Sequence, residues 1–138
     1  MSKHVLVIDD NKLILAITAD ILTAAGYTVS TAEDVVYCND IIYGKNPPDL
    51  ILIDINLPFM SGDHKVRVMK TRPKGGQIPL VLISSISEHE LKSRAADCGA
   101  DGYLTKPIDG QLLLTTVAQI LSSNSSAACA GKILNSGL

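Results

Sequence analysis

Tryptophan is absent, phenylalanine occurs once and tyrosine four times, and the formal net charge is −2. A nucleic-acid surface needs a basic stripe or a row of stacking rings, so this chain by itself is not expected to bind nucleic acid. Long apolar runs are missing as well. Val5-Leu6-Val7-Ile8 stops at Asp9-Asp10, far short of a signal-peptide core or a membrane span, and the expectation is a cytoplasmic protein with no membrane segment. Cys38, Cys98 and Cys129 are odd in number and form no C-x-x-C pair, which argues against a disulfide framework or a zinc site and for three reduced thiols. His4, His64 and His89 share no ligand spacing with them and read as surface or edge residues.

What the chain does have is apolar substance: 46% of its 138 residues, enough for one domain around a continuous core. Strand-like runs at 4–8, 27–31, 49–53, 80–84 and 102–105 alternate with helical patterns at about 11–25, 33–43, 63–71, 88–98 and 109–121. Regular alternation of this kind predicts an α/β domain, a doubly wound parallel sheet with helices on both faces. Gly26, Gly44 and Gly99 follow helical patterns where a C-terminal glycine cap belongs. From Ser122 the composition turns to Ser, Ala and Gly without periodicity, so the expected division is a domain over 1–121 and a flexible tail or linker over 122–138.

The stretch LILIDINLPFMSG, residues 50–62, is apolar at every position of its strand rather than at alternate ones, and then ends in Asp54. Such a strand is buried on both faces, and the carboxyl ends of strands in open α/β sheets are where ligands bind. Asp9 and Asp10 close the first strand, Ser84 and Ser85 the fourth, and Lys106-Pro107 follow the fifth. Each has an ordinary reading when taken singly: a helix cap, a turn aspartate, a strand-to-loop step, a turn. Their shared position at one sheet edge is what ordinary readings leave unexplained. In a sheet ordered 2-1-3-4-5, an order borrowed from known doubly wound folds rather than derived from periodicity, Asp9, Asp10 and Asp54 converge. Converging carboxylates need a compensating cation, and Mg²⁺, a hard ion that takes carboxylate and carbonyl oxygens and accepts phosphate oxygens, suits them. With Lys106 to pair with Asp54 and Ser84 to offer a hydroxyl, the parts for phosphoryl transfer to a carboxylate are present.

The segments VLVIDDNK, LILIDINLPFMSG, VLISS and DGYLTKP, with their mutual spacing, resemble the receiver domain of two-component response regulators, of the single-domain chemotaxis type, over about residues 4–121. The resemblance implies a five-stranded flavodoxin-like fold and a phosphorylation-controlled switch rather than a turnover enzyme. It implies that Asp54 accepts phosphate from the phosphohistidine of a histidine kinase or phosphotransfer protein. Asp9, Asp10, Asp54 and the backbone carbonyl of Asn56 would hold Mg²⁺, with Asp10 the most direct ligand. Ser84 would be the switch hydroxyl, Lys106 the phosphate partner and Tyr103 the aromatic that swings inward, carrying the signal to the surface of the fourth helix, fifth strand and fifth helix, where an unknown downstream protein binds. It also implies a cis Lys106–Pro107 bond. Two departures stand out: Asp63 and Lys65 occupy places that the family usually fills with apolar residues, and no effector domain follows in this sequence.

Two other classes have specific requirements. A haloacid dehalogenase-like phosphatase wants a second carboxylate two residues after the nucleophile, where Asn56 stands; a flavodoxin-like cofactor protein wants a phosphate-cradling loop where Asp10-Asn11-Lys12 stand. In the first helix, a 3.6-residue period through Ile14, Ile17, Thr18, Ile21 and Ala25 gives the inward stripe. The opposite side, Leu13, Leu15, Ala16 and Ala19, is then the expected docking face for the kinase or phosphotransfer partner.

Overall fold

The computed structural model describes residues 2–123. Five strands, β1 (His4–Ile8), β2 (Thr28–Ala32), β3 (Leu50–Asp54), β4 (Leu80–Ser84) and β5 (Gly102–Thr105), form one parallel sheet in the order β2-β1-β3-β4-β5. Five helices alternate with them: α1 (Lys12–Ala24), α2 (Cys38–Ile42), α3 (Gly62–Lys70), α4 (Glu88–Cys98) and α5 (Gly110–Ser123). The two-residue alternation of the strands divides the core. Leu6, Ile8, Ile51, Ile53 and Leu82 meet α2, α3 and α4 on one face, while Val5, Val7, Leu50, Leu52, Val81 and Ile83 meet α1 and α5 on the other. Both faces of β3 and β4 are buried throughout, which is why these strands are apolar at consecutive positions.

The expected elements are all present, with shifted bounds. β2 and β3 lie one residue later than their periodicity indicates. α2 is only one short helix because Asp34 Oδ1 accepts from the Val36 and Tyr37 N–H groups, holding residues 35–37 as turns, and Val35-Val36 favour helix poorly. Gly26 and Gly99 have positive φ, Gly99 as the left-handed cap of α4, whereas Gly44 does not. α5 continues through Ser122 and Ser123, two residues past the expected domain bound at 121; the rest of the expected tail, with Cys129, lies outside the described residues.

The expected phase of α1 is corrected. Leu15, Thr18 and Leu22 face the sheet, and Leu15 is only 7% exposed, whereas Leu13 is 67% and Ile17 43% exposed. Apolar residues run almost around this helix, so its period alone admits two phases. Asn11, which caps α1 through Leu13 and Ile14 N–H, starts the helix where Leu15 points inward. Leu15 therefore cannot belong to a docking face; Leu13, Ala16 and Ile17 lie outside and Ala19 is half-buried.

The polar departures at α3 have partners. Both oxygens of Asp63 are held by Arg94 of α4, and Lys65, buried despite its charge, donates from Nζ to Asn39 Oδ1 at 2.6 Å. Asp63 also lies in the first turn of α3, where a negative charge suits the helix dipole.

Candidate functional site

Strand register builds the site. Ile8 pairs with Ile53, so Asp9 follows β1 directly beside Asp54; Asp54 pairs with Ile83, and Ser84 with Thr105, after which the chain reaches Lys106. Asp9, Asp54 and Lys106 share strand parity with the core on the α1 and α5 face. Ser84 and Tyr103 share the parity of Leu82 and the opposite core.

Lys106 Nζ lies 2.9 Å from Asp9 Oδ2 and 3.2 Å from Asp54 Oδ2. Burial lowers its ammonium pKa, but the hydrogen bond to Asp9 and the charges of Asp54 and Asp9 outweigh this and raise it, so the lysine is cationic here. Asp54 is buried, and its carboxyl is pushed above its ordinary value first by desolvation and then by the Asp9 charge, only partly offset by Lys106. Asp9 Oδ1 accepts from the Asn11 N–H at 2.9 Å, so both its oxygens already have protein donors. Asp10 is exposed and has no hydrogen-bond partner among the described residues.

One carboxylate oxygen from each of Asp9, Asp10 and Asp54 lies within 4.8 Å of the others. Three formal carboxylates against one lysine leave two negative charges, and a hard oxygen set of this kind fits a divalent cation such as Mg²⁺. Asn56, in the loop after β3, is exposed beside this group. Gly62 is required for the same loop to close: its N–H donates to the Ile55 carbonyl at 2.8 Å, and a Cβ at Gly62 would run into the Asp54 carbonyl oxygen.

Of the expected residues, Asp9, Asp10, Asp54 and Lys106 are thus brought together at the sheet edge, and Ser84 and Tyr103 have other partners. Ser84 is fully buried, and its Oγ accepts from the Ile86 N–H at 3.2 Å instead of meeting Asp54. Tyr103 already lies inward, 5% exposed, with its hydroxyl donating to Glu88 Oε2 at 3.3 Å; burial and then the Glu88 charge raise its phenol pKa. The Lys106–Pro107 bond is cis. Sequence reasoning missed the Asn11 N–H on Asp9 and the Ile86 N–H on Ser84, because backbone donors leave no residue-type signal.

A five-stranded sheet of this order with a carboxylate cluster at its switch point defines a class, and comparison with known proteins gives it a family. Residues 5–118 match the response regulator receiver domain, and the chain belongs to that family. It is 34% identical over 120 residues to the response regulator PleD of Caulobacter vibrioides, covering 87% of this chain but 26% of that protein. It is 28% identical over 123 residues to the chemotaxis protein CheY of Halobacterium salinarum, covering 89% of this chain and all of that one. Among solved structures, a chemotaxis response regulator of Vibrio cholerae superposes with a TM-score of 0.79 at 28% identity, covering 87% of this chain and 99% of that one. A response regulator described as putative, from Chloroflexus aurantiacus, reaches 0.83 at 27% identity over 88% of this chain and 99% of that one. The chain spans 15% and 26% of the lengths of the gliding motility regulatory protein of Myxococcus xanthus and of PleD. The family's function is that of a phosphorylation-controlled switch, and neither a dehalogenase-like phosphatase nor a flavin carrier is supported.

Proposed function

We propose that Asp54 accepts the phosphoryl group of a phosphohistidine on a histidine kinase or phosphotransfer protein, and that the acyl phosphate so formed switches the domain. The observation that carries this reading is the buried Asp54 carboxylate, flanked by Asp9 and Asp10 and paired with Lys106 at 3.2 Å. An oxygen of Asp54 attacks phosphorus as the P–N bond to the imidazole breaks, and the departing ring nitrogen keeps the electron pair. Lys106 neutralises a phosphoryl oxygen as charge develops. Asp9, Asp10, Asp54 and the Asn56 carbonyl would hold Mg²⁺, which supplies charge neutralisation for the incoming phosphate when bound. Asp10 is the natural principal ligand, since the oxygens of Asp9 are already engaged.

Ser84 leaves the Ile86 N–H to reach a phosphoryl oxygen, and Tyr103 and Glu88 respond in β5 and α4. A downstream protein reads the α4, β5 and α5 surface, and the kinase or phosphotransfer partner docks on Leu13, Ala16 and Ile17 of α1, with Ala19 at the margin. The protein catalyses only its own phosphorylation and dephosphorylation. No helix among the described residues is long and apolar enough to cross a membrane, in keeping with action in the cytoplasm. The acceptor assignment is tested by intact-mass measurement of acetyl phosphate labelling in Asp54→Asn, which should gain no phosphoryl group.

A further inference from the structure

Lys65 is the buried charge that phosphoryl transfer does not use. It is 7% exposed on α3, and among the described residues no carboxylate lies within ion-pair distance of it. The one hydrogen bond of its side chain among the described residues is to the amide oxygen of Asn39. A buried ammonium ordinarily has an anionic partner, because desolvation is otherwise uncompensated. Lys65 lines a cavity of about 230 Å³ between α2 and α3, together with Asn39, Tyr43, Arg72, Val68 and Met69. The amide of Asn39 spends its oxygen on Lys65, so its NH₂ group is left to donate. Lys65 keeps two further N–H donors, Arg72 adds a guanidinium and Tyr43 a hydroxyl. The polar lining is therefore almost entirely donors and carries two formal positive charges, beside the apolar side chains of Val68 and Met69.

We infer that the groove between α2 and α3 binds a small organic phosphate, its acceptor-only head on Lys65, Arg72 and the Asn39 amide and its apolar body on Val68 and Met69. The planar fork of Arg72 and the point charge of Lys65 are the two phosphate-binding chemistries in common use. This site is separate from Asp54 and does not depend on the reading of that residue.

The test is an amide NMR titration of the full chain with phenyl phosphate and, separately, inorganic phosphate, in EDTA so that the carboxylate cluster holds no metal. Saturable shifts should appear at residues 39–43 and 65–72. Phenyl phosphate should bind more tightly than inorganic phosphate. Lys65→Met, which keeps the buried stem and removes the charge, should weaken binding about tenfold or more. Arg72→Gln, at an exposed position, should weaken it in the same sense. Absence of saturable shifts would overturn the inference. So would shifts centred on Lys45 and Lys74 or on the loop after Asp54, affinity unchanged in both variants, or equal affinity for the two phosphates. A lysine that only lays its stem across the groove would give the unchanged affinity.

Discussion

Arg94 grips Asp63 with both arms of its guanidinium, Nε to Oδ2 and Nη2 to Oδ1, each at 3.0 Å, and so ties the first turn of α3 to the middle of α4. Burial alone would raise the Asp63 carboxyl pKa, but the hydrogen bonds from Arg94 and Ser61 and the Arg94 charge hold it below its ordinary value. A depressed carboxyl stabilises the fold above its unfolded pKa and loses that contribution as pH falls through the folded value. Asp63→Asn should therefore cost about 1 kcal/mol at neutral pH, the pair being partly exposed, and nothing in strong acid. Urea melts of both proteins across the acid range check this; a gap that persists at the acid end would contradict it.

Asp54 has the opposite sign. Its raised carboxyl means that the folded state binds the proton more tightly than the unfolded chain. Stability is then lost as pH rises from the ordinary carboxylate pKa through the folded one. Without metal, Asp54→Asn should be more stable than the native protein at pH 7, by on the order of 1 kcal/mol, and Mg²⁺ should narrow the difference. Thermal melts with EDTA and with Mg²⁺ measure both effects.

Gly62→Ala should destabilise by about 1–3 kcal/mol, because the added carbon meets the Asp54 carbonyl rather than a flexible side chain. The same collision moves the acceptor, so labelling by acetyl phosphate should slow even in the folded fraction. Normal labelling in a destabilised variant would separate the loop from the site.

Leu13→Glu should slow transfer from a phosphorylated kinase about tenfold while sparing acetyl phosphate labelling, since the Leu13 side chain is exposed on α1 and is not among the groups assigned to the phosphate or the metal. Leu15→Glu, by contrast, buries a charge in the core and should lower stability and both labelling routes together.

The layered sheet and the acceptor edge were legible because their signals are local. β3 and β4, each apolar at four consecutive positions and then ending in a polar residue, Asp54 or Ser84, state their burial and their ends within a few positions. The phase of α1 was not legible: Leu13, Ile14, Leu15 and Ile17 offer competing stripes, and only the cap at Asn11 and the docking of Leu15 and Leu22 on the sheet select one. Nor were the partners of Asp63 and Lys65, which lie 31 and 26 residues away on other helices. In α2, helical residues from 33 onward lose to the side chain of Asp34, which captures the backbone first.

Intact-mass measurement after incubation with acetyl phosphate and Mg²⁺ tests the central claim most directly. The native protein should gain one phosphoryl group, while Asp54→Asn, still folded, should gain none, and the native protein in EDTA should remain unlabelled. A phosphoryl group on Asp54→Asn at the native level, or equal labelling of the native protein with and without metal, would contradict the account.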